Sequence, residues 1–124
     1  MLEELRSDGY LLVLNTNAYD ENCLPLLENS GIKTQFNFIA TANLSKDKVE
    51  KLKLIEYKFN TKKEDILFVT DALGDVRDAD IAEVPTVAVT WGVHDASFFE
   101  LENHPSLVGI VNSVEELLSF IKEN

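Results

Sequence analysis

Two carboxylates four positions apart, Asp71 and Asp75, follow the apolar run Ile66-Leu67-Phe68-Val69 and enclose Ala72-Leu73-Gly74. Such a run reads as a buried strand of a parallel sheet, and the acids fall where it emerges. In open α/β sheets, ligands bind in the crevice beyond the carboxyl ends of the strands. Carboxylates placed there, one at a strand end and one opening a helix, can converge on a hard cation such as Mg2+, which takes oxygen donors. Thr16 closes another apolar run, Tyr10 to Leu14, and offers a hydroxyl beside the free N–H groups of a helix start, with Asn17 next to it. That is a ready anion site. Lys46, also at a helix start, is a cation that can neutralise phosphate charge. Acid pair, hydroxyl and lysine are the parts that metal-assisted phosphoryl chemistry uses. Each residue alone has a plainer explanation. Asp75 can be a helix N-terminal charge and Thr16 a helix cap. Lys46 is one of four lysines in eight residues, and the other three (Lys48, Lys51 and Lys53) are expected to be solvated.

The elements that position these residues alternate along the chain. A helix tail over Met1–Asp8 precedes the first strand, Tyr10–Leu14. A helix over Ala18–Ser30 follows, with Cys23, Leu24 and Leu27 inward and Gly31 as its stop. Pro25 within it implies a kink or a helix that begins there. Phe36–Ala40 reads as the second strand. Ser45 is the expected N-cap of a helix over Lys46–Phe59, whose stripe is Val49, Leu52, Ile55 and Phe59. Ile66–Thr70 is the third strand, Gly74–Ala82 a short helix, Pro85–Trp91 the fourth strand, Ala96–Asn103 a helix, and Leu107–Val111 the fifth strand. Ser113 and Glu116 form a capping pair for a last helix with Leu117, Leu118 and Ile121 inward. Strands alternating with helices imply a parallel sheet with right-handed crossovers. All strand C-termini then share one rim, where the loops holding Thr16, Lys46, Asp71 and Trp91 become neighbours.

At 124 residues the chain is expected to form one domain, residues 1–124. Asp and Glu number 22 against 11 Lys and Arg, a net charge of −11, which argues against nucleic acid as a partner. One cysteine, Cys23, makes no internal disulfide and has no activating cation in sequence, so a reducing compartment is expected. No apolar stretch suits a signal peptide or a membrane span, and the expected location is the cytoplasm. His94 and His104 lie between Trp91 and Pro105, with His94 near enough to the rim to touch a ligand.

In order and spacing the motifs resemble the C-terminal portion of a haloacid dehalogenase superfamily hydrolase, a phosphatase-like Rossmannoid group. Leu12-Val13-Leu14-Asn15-Thr16-Asn17 is similar to the family's strand ending in Ser or Thr. Lys46 stands 25 residues before Asp71, as the family lysine stands before its acidic motif. Val69-Thr70-Asp71-Ala72-Leu73-Gly74-Asp75 is similar to that acidic motif, with Thr70 where the family usually has Gly. Pro85-Thr86-Val87-Ala88-Val89-Thr90-Trp91-Gly92 and Ser113-Val114-Glu115-Glu116-Leu117-Leu118 resemble the downstream strand and terminal helix. The resemblance implies a Rossmann-like three-layer α/β sandwich with a small parallel sheet. It implies that Thr16 and Asn17 bind phosphate, that Lys46 stabilises its charge, and that Asp71 and Asp75 hold Mg2+.

The resemblance also shows what these residues lack. The family nucleophile is the first Asp of an Asp-x-Asp motif ending an N-terminal apolar strand. The sole Asp-x-Asp here, Asp78-Ala79-Asp80, falls in an expected helix. Without a nucleophile an aspartyl-phosphate mechanism cannot run. The family's first central strand and its cap domain are missing as well. The strands Tyr10–Leu14 and Ile66–Thr70 then either pair directly or flank a gap filled by another segment, including one from a second chain or a second copy. The expected function is a phosphohydrolase core acting on a small phosphorylated molecule once complemented. The alternatives are a catalytically inactive binding module of the same fold and a generic flavodoxin-like or receiver-like domain.

Overall fold

In a computed structural model, residues 1–92 and 95–123 are described, and His94 lies outside them. The elements in chain order are α1 (Leu2–Ser7), β1 (Val13–Asn15), α2 (Asp20–Ser30), β2 (Phe38–Ala40), α3 (Lys48–Lys58), β3 (Phe68–Thr70), α4 (Leu73–Ala82), β4 (Thr86–Val89), α5 (Ala96–Phe99), β5 (Leu107–Val111) and α6 (Val114–Glu123). The chain divides into two compact units, Met1–Lys51 and Leu52–Asn124, the division falling within α3.

In the first unit β1 and β2 pair in parallel, Val13 opposite Phe38 and Asn15 opposite Ala40. The strands are shorter than their apolar runs, but hydrogen bonds prolong the pairing at both ends. The Asn37 amide donates to the Leu12 carbonyl, and the Thr16 amide to the Ala40 carbonyl. Helix α2 starts at Asp20 and runs on past Pro25, so the proline does not mark its beginning. Asp20 and Glu21 complement the positive end of its dipole. Gly31 ends it in the left-handed region at φ 77°, where a Cβ would be strained. The cap of α3 is Asp47 rather than Ser45. The Asp47 carboxylate accepts from the amides of Val49 and Glu50 at 2.9 and 3.3 Å. Ser45 accepts from the Asp47 amide, ahead of the helix. Two capping side chains stand two residues apart, and the carboxylate reaches the second and third helical amides, the groups a cap must satisfy.

In the second unit the strand order is β3-β4-β5, all parallel. Every residue of the central strand β4 is buried. Its alternation splits the core between the two faces of the sheet. Ala88 packs with Leu73 and Val76 of α4 and Phe99 of α5, while Val87 and Val89 pack with Val111 of β5 and Leu117 of α6. Helices therefore cover both faces, three layers in all. A register shift at Thr86/Val87 places Gly109, not Val108, opposite Val87. That bulge puts Leu107 and Ile110, three apart in sequence, on the same side with Phe99. Ser113 caps α6 by accepting from the Glu116 amide at 3.1 Å, and the Glu116 carboxylate reaches back to the Asn112 amide.

The fold is α/β with small parallel sheets. No described helix is long and apolar enough to cross a membrane.

Candidate functional site

The residues singled out by sequence divide between the two units, and each group is built by its own loops. In the first unit Thr16 sits one residue beyond β1, at the end of the parallel ladder. Its hydroxyl accepts from the Ala18 amide at 3.1 Å, which turns the chain away from the strand. The Ala42 amide donates to the Ala18 carbonyl, tying this turn to the loop after β2. The Thr41 hydroxyl donates to the Asp20 carboxylate at 2.5 Å, and the Asp20 amide donates to the Asn43 side chain at 2.8 Å. Hydrogen bonds through side chains thus hold both loops at the carboxyl ends of their strands. The Asn15 carboxamide is buried, and among the described residues neither of its polar atoms has a hydrogen-bond partner.

Lys46 is exposed, and its ammonium lies 5.0 Å from the centroid of the Tyr19 ring, a cation–π contact. The lysine that reaches Thr16 is another one. Lys51, expected to be solvated, is 0% exposed. Its ammonium donates to the Thr16 carbonyl at 2.6 Å and to the Asn17 Oδ1 at 2.9 Å. The spacing within α3 carried this signal. Lys51 precedes Ile55 by four residues and so lies on the buried face, where Ile55 is 6% exposed. An ammonium withdrawn from water is costly unless its donors are satisfied. The Thr16 carbonyl and the Asn17 Oδ1 at the end of β1 help to meet that demand, and the ammonium orients the Asn17 amide.

In the second unit Asp71 leaves β3 and Asp75 lies in the first turn of α4. Thr70, which stands where the family usually has Gly, is buried and organises the turn. Its hydroxyl accepts from the Ala72 amide at 3.1 Å and donates to the Asp75 carboxylate at 2.7 Å. Among the described residues no protein group donates to the Asp71 carboxylate. Gly92, after β4, lies against it. A Cβ at Gly92 would stand 2.1 Å from Asp71 Oδ2, so only glycine lets this backbone approach the acid. Both Thr70 and Gly92 bear on the acid pair and were not assigned to it from sequence. Hydroxyl pattern and glycine punctuation mark turns, but not which carboxylate they touch.

The donor set suits Mg2+, which binds through one or two carboxylates and retains waters or substrate oxygens for the rest of its shell. Among the described residues no group of three or more His, Cys, Asp or Glu side chains could hold a metal on its own. Replacing Gly92 with Ala is expected to displace the Asp71 carboxylate; if Asp71 is a Mg2+ ligand, any Mg2+ affinity of the chain should fall at least severalfold, an isothermal titration being the check. An unchanged affinity would show that Asp71 is not a ligand.

A family model described as haloacid dehalogenase-like hydrolase matches residues 1–89. No curated protein matches the chain. Among solved structures, a predicted phosphatase from Clostridium acetobutylicum is 27% identical with a TM-score of 0.80, over 99% of this chain and 57% of its own. A haloacid dehalogenase-like family hydrolase from Streptococcus pneumoniae superposes with a TM-score of 0.83 at 21% identity, over 97% of this chain and 56% of its own. A predicted phosphoglycolate phosphatase from Haemophilus somnus 129pt gives 0.81 at 23% identity, over 97% and 53%. The chain spans about half the length of the solved structures it matches.

Proposed function

We propose that this chain, which belongs to the haloacid dehalogenase-like hydrolase family, supplies the phosphate-binding and metal-binding residues of a Mg2+-dependent phosphohydrolase whose nucleophile comes from a segment other than these 124 residues. The observation that carries the proposal is the buried ammonium of Lys51, held by the Thr16 carbonyl and the Asn17 carboxamide at the end of β1. A lysine placed at full burial beside the hydroxyl of an anion-binding turn serves charge stabilisation better than it serves packing. The role that spacing suggested for Lys46 is therefore assigned to Lys51.

Each residue has a definite task in this reading. The Thr16 hydroxyl has its oxygen engaged by the Ala18 amide and keeps its proton to donate to a phosphoryl oxygen. Asn17 gives its Oδ1 to Lys51 and keeps its amide N–H groups as donors. Lys51 offsets the negative charge of the phosphoryl group, an electrostatic contribution that grows where water is excluded. Asp71 and Asp75 would hold Mg2+, which when bound would supply positive charge that stabilises a phosphoryl group. Thr70 keeps Asp75 oriented for that task. The substrate class is a small phosphorylated molecule.

Asp78-Ala79-Asp80 does not supply the nucleophile in this reading. It lies in α4, and Asp80 accepts from the Ser106 amide at 3.1 Å and faces His104, a structural engagement. A strand bearing the nucleophile would come from another segment or a partner chain. Among the described residues β1 pairs only with β2 and β3 only with β4, and each leaves one ladder edge to receive a strand.

The test is a pair of NMR titrations of the chain. Inorganic phosphate is expected to shift the amides of Thr16, Asn17 and Ala18, and Mg2+ those of Asp71 to Asp75. No response to either would overturn the assignment. Phosphate binding with no turnover on complementation would favour a binding module of the same fold.

A further inference from the structure

The segment between α5 and β5 is attached to α4 by four charged side chains remote in sequence. His104 is 15% exposed, and both of its ring nitrogens face carboxylates. Nε2 lies 2.7 Å from Glu102 Oε1 and Nδ1 lies 3.3 Å from Asp80 Oδ2. Arg77, from the same helix as Asp80, grips Glu102 with two donors, one of them Nε at 2.9 Å. The other oxygen of Asp80 accepts from the Ser106 amide. A neutral imidazole carries one N–H donor and one lone pair, so it can satisfy one of these carboxylates and must turn its lone pair on the other. Only the imidazolium donates to both.

We propose that His104 is a proton-operated latch, closed as the imidazolium bridging Asp80 and Glu102, whose deprotonation releases the Glu100–Ser106 segment from α4. The groups that face it are Asp80 from α4 and Glu102 from its own segment. Arg77 of α4 acts through Glu102, and Glu100 lies on the wall of the same depression, to which β5 contributes only Leu107 and Ile110. That depression, about 390 Å3, gives water access to the ring.

The protonation energetics agree in direction. Hydrogen bonds from His104 to Glu102 and then Asp80 raise its pKa above the ordinary 6.5. The Ser106 amide and His104 lower Asp80, and Arg77 with His104 brings Glu102 down to about 2. A histidine raised on folding adds stability that is complete below 6.5 and is lost as pH rises through its folded value. A carboxylate lowered on folding adds stability that is complete above its ordinary value and is lost as pH falls through its folded value. The latch is therefore tightest between the ordinary glutamate value of 4.5 and the histidine value of 6.5.

The test is to follow the His104 ring resonances and the exchange protection of the Ser106 and Leu107 amides from about pH 5 to about pH 9, the range that brackets histidine titration. The ring midpoint is expected above 6.5. Protection, corrected for intrinsic exchange, is expected to fall through that midpoint in the wild type and to be flat in His104→Gln. Asp80→Asn, which keeps an oxygen for Ser106, is expected to lower the midpoint, and this shift decides the matter if the glutamine variant does not fold. A midpoint at or below 6.5, protection independent of pH, or an unchanged midpoint in Asp80→Asn overturns the proposal.

Discussion

Replacing Lys51 with Met is expected to weaken binding of inorganic phosphate by roughly 10- to 100-fold, because hydrogen bonds to charged groups contribute about 1.5–3 kcal/mol each. Met keeps the apolar stem of lysine and deletes the ammonium, so the substitution leaves the packing of α3 in place. Two opposed effects act on stability. The Thr16 carbonyl and the Asn17 Oδ1 each lose a donor, at less than the about 1–3 kcal/mol of a fully buried group, since Thr16 is half-buried and Asn17 is exposed to water. Removal of a buried ammonium recovers a desolvation cost of similar size. Net stability should change little while phosphate affinity collapses, and urea melts beside a phosphate titration separate the two. Lys46→Ala is the contrasting variant. Its ammonium rests on the exposed Tyr19 ring, and its loss should cost at most about 1 kcal/mol of stability and leave phosphate affinity within a factor of about 3. The reverse outcome, with Lys46→Ala losing phosphate and Lys51→Met keeping it, would return the role to Lys46.

Phe99→Ala should destabilise the protein by about 3–5 kcal/mol, the range for deleting a buried aromatic ring and leaving a cavity. Phe99 is 0% exposed although α5 is only four residues long, and its ring joins Leu73, Val76 and Ala88 with Leu107 and Ile110 against them. Its ring also meets Phe98 edge to face, centroids 6.1 Å apart. So short a helix has no cooperative stability of its own. Packing of Phe99 and the Asp95 cap, which accepts from the Phe98 amide at 3.2 Å, fix it on the sheet. The loss should therefore appear as a lowered denaturation midpoint with an unchanged slope if unfolding stays two-state. A cost below about 1 kcal/mol would mean that Phe99 is not a core residue.

The elements most legible in the sequence were those built on local signals. Continuous apolar runs located β3, β4 and β5, and Ser113 with Glu116 located the start of α6, because capping reads across three residues. Family resemblance, carried by ordered motifs, is matched by the model that covers residues 1–89. What local signals did not convey was which of several equivalent side chains tertiary structure would use. Four lysines crowd the start of α3. Spacing to Asp71 favoured Lys46, whereas the helical phase that buries Ile55 also turns Lys51 inward. Ser45 was the expected cap, but the amides left unsatisfied at the first turn are those that the Asp47 carboxylate reaches. The Arg77–Glu102–His104–Asp80 cluster joins residues 24 or 25 positions apart and has no local signature. Gly92 on Asp71 is likewise a contact between loops that only the parallel order of β3 and β4 brings about.

The most direct measurement is hydrolysis of p-nitrophenyl phosphate by the 124-residue chain alone with Mg2+. The predicted result is no turnover above the buffer blank, since in the proposed function Thr16, Lys51 and Asp71 assist a nucleophile supplied by another segment. Robust turnover that disappears in Asp71→Ala would contradict the account, because it would place a complete phosphoryl-transfer site within the chain.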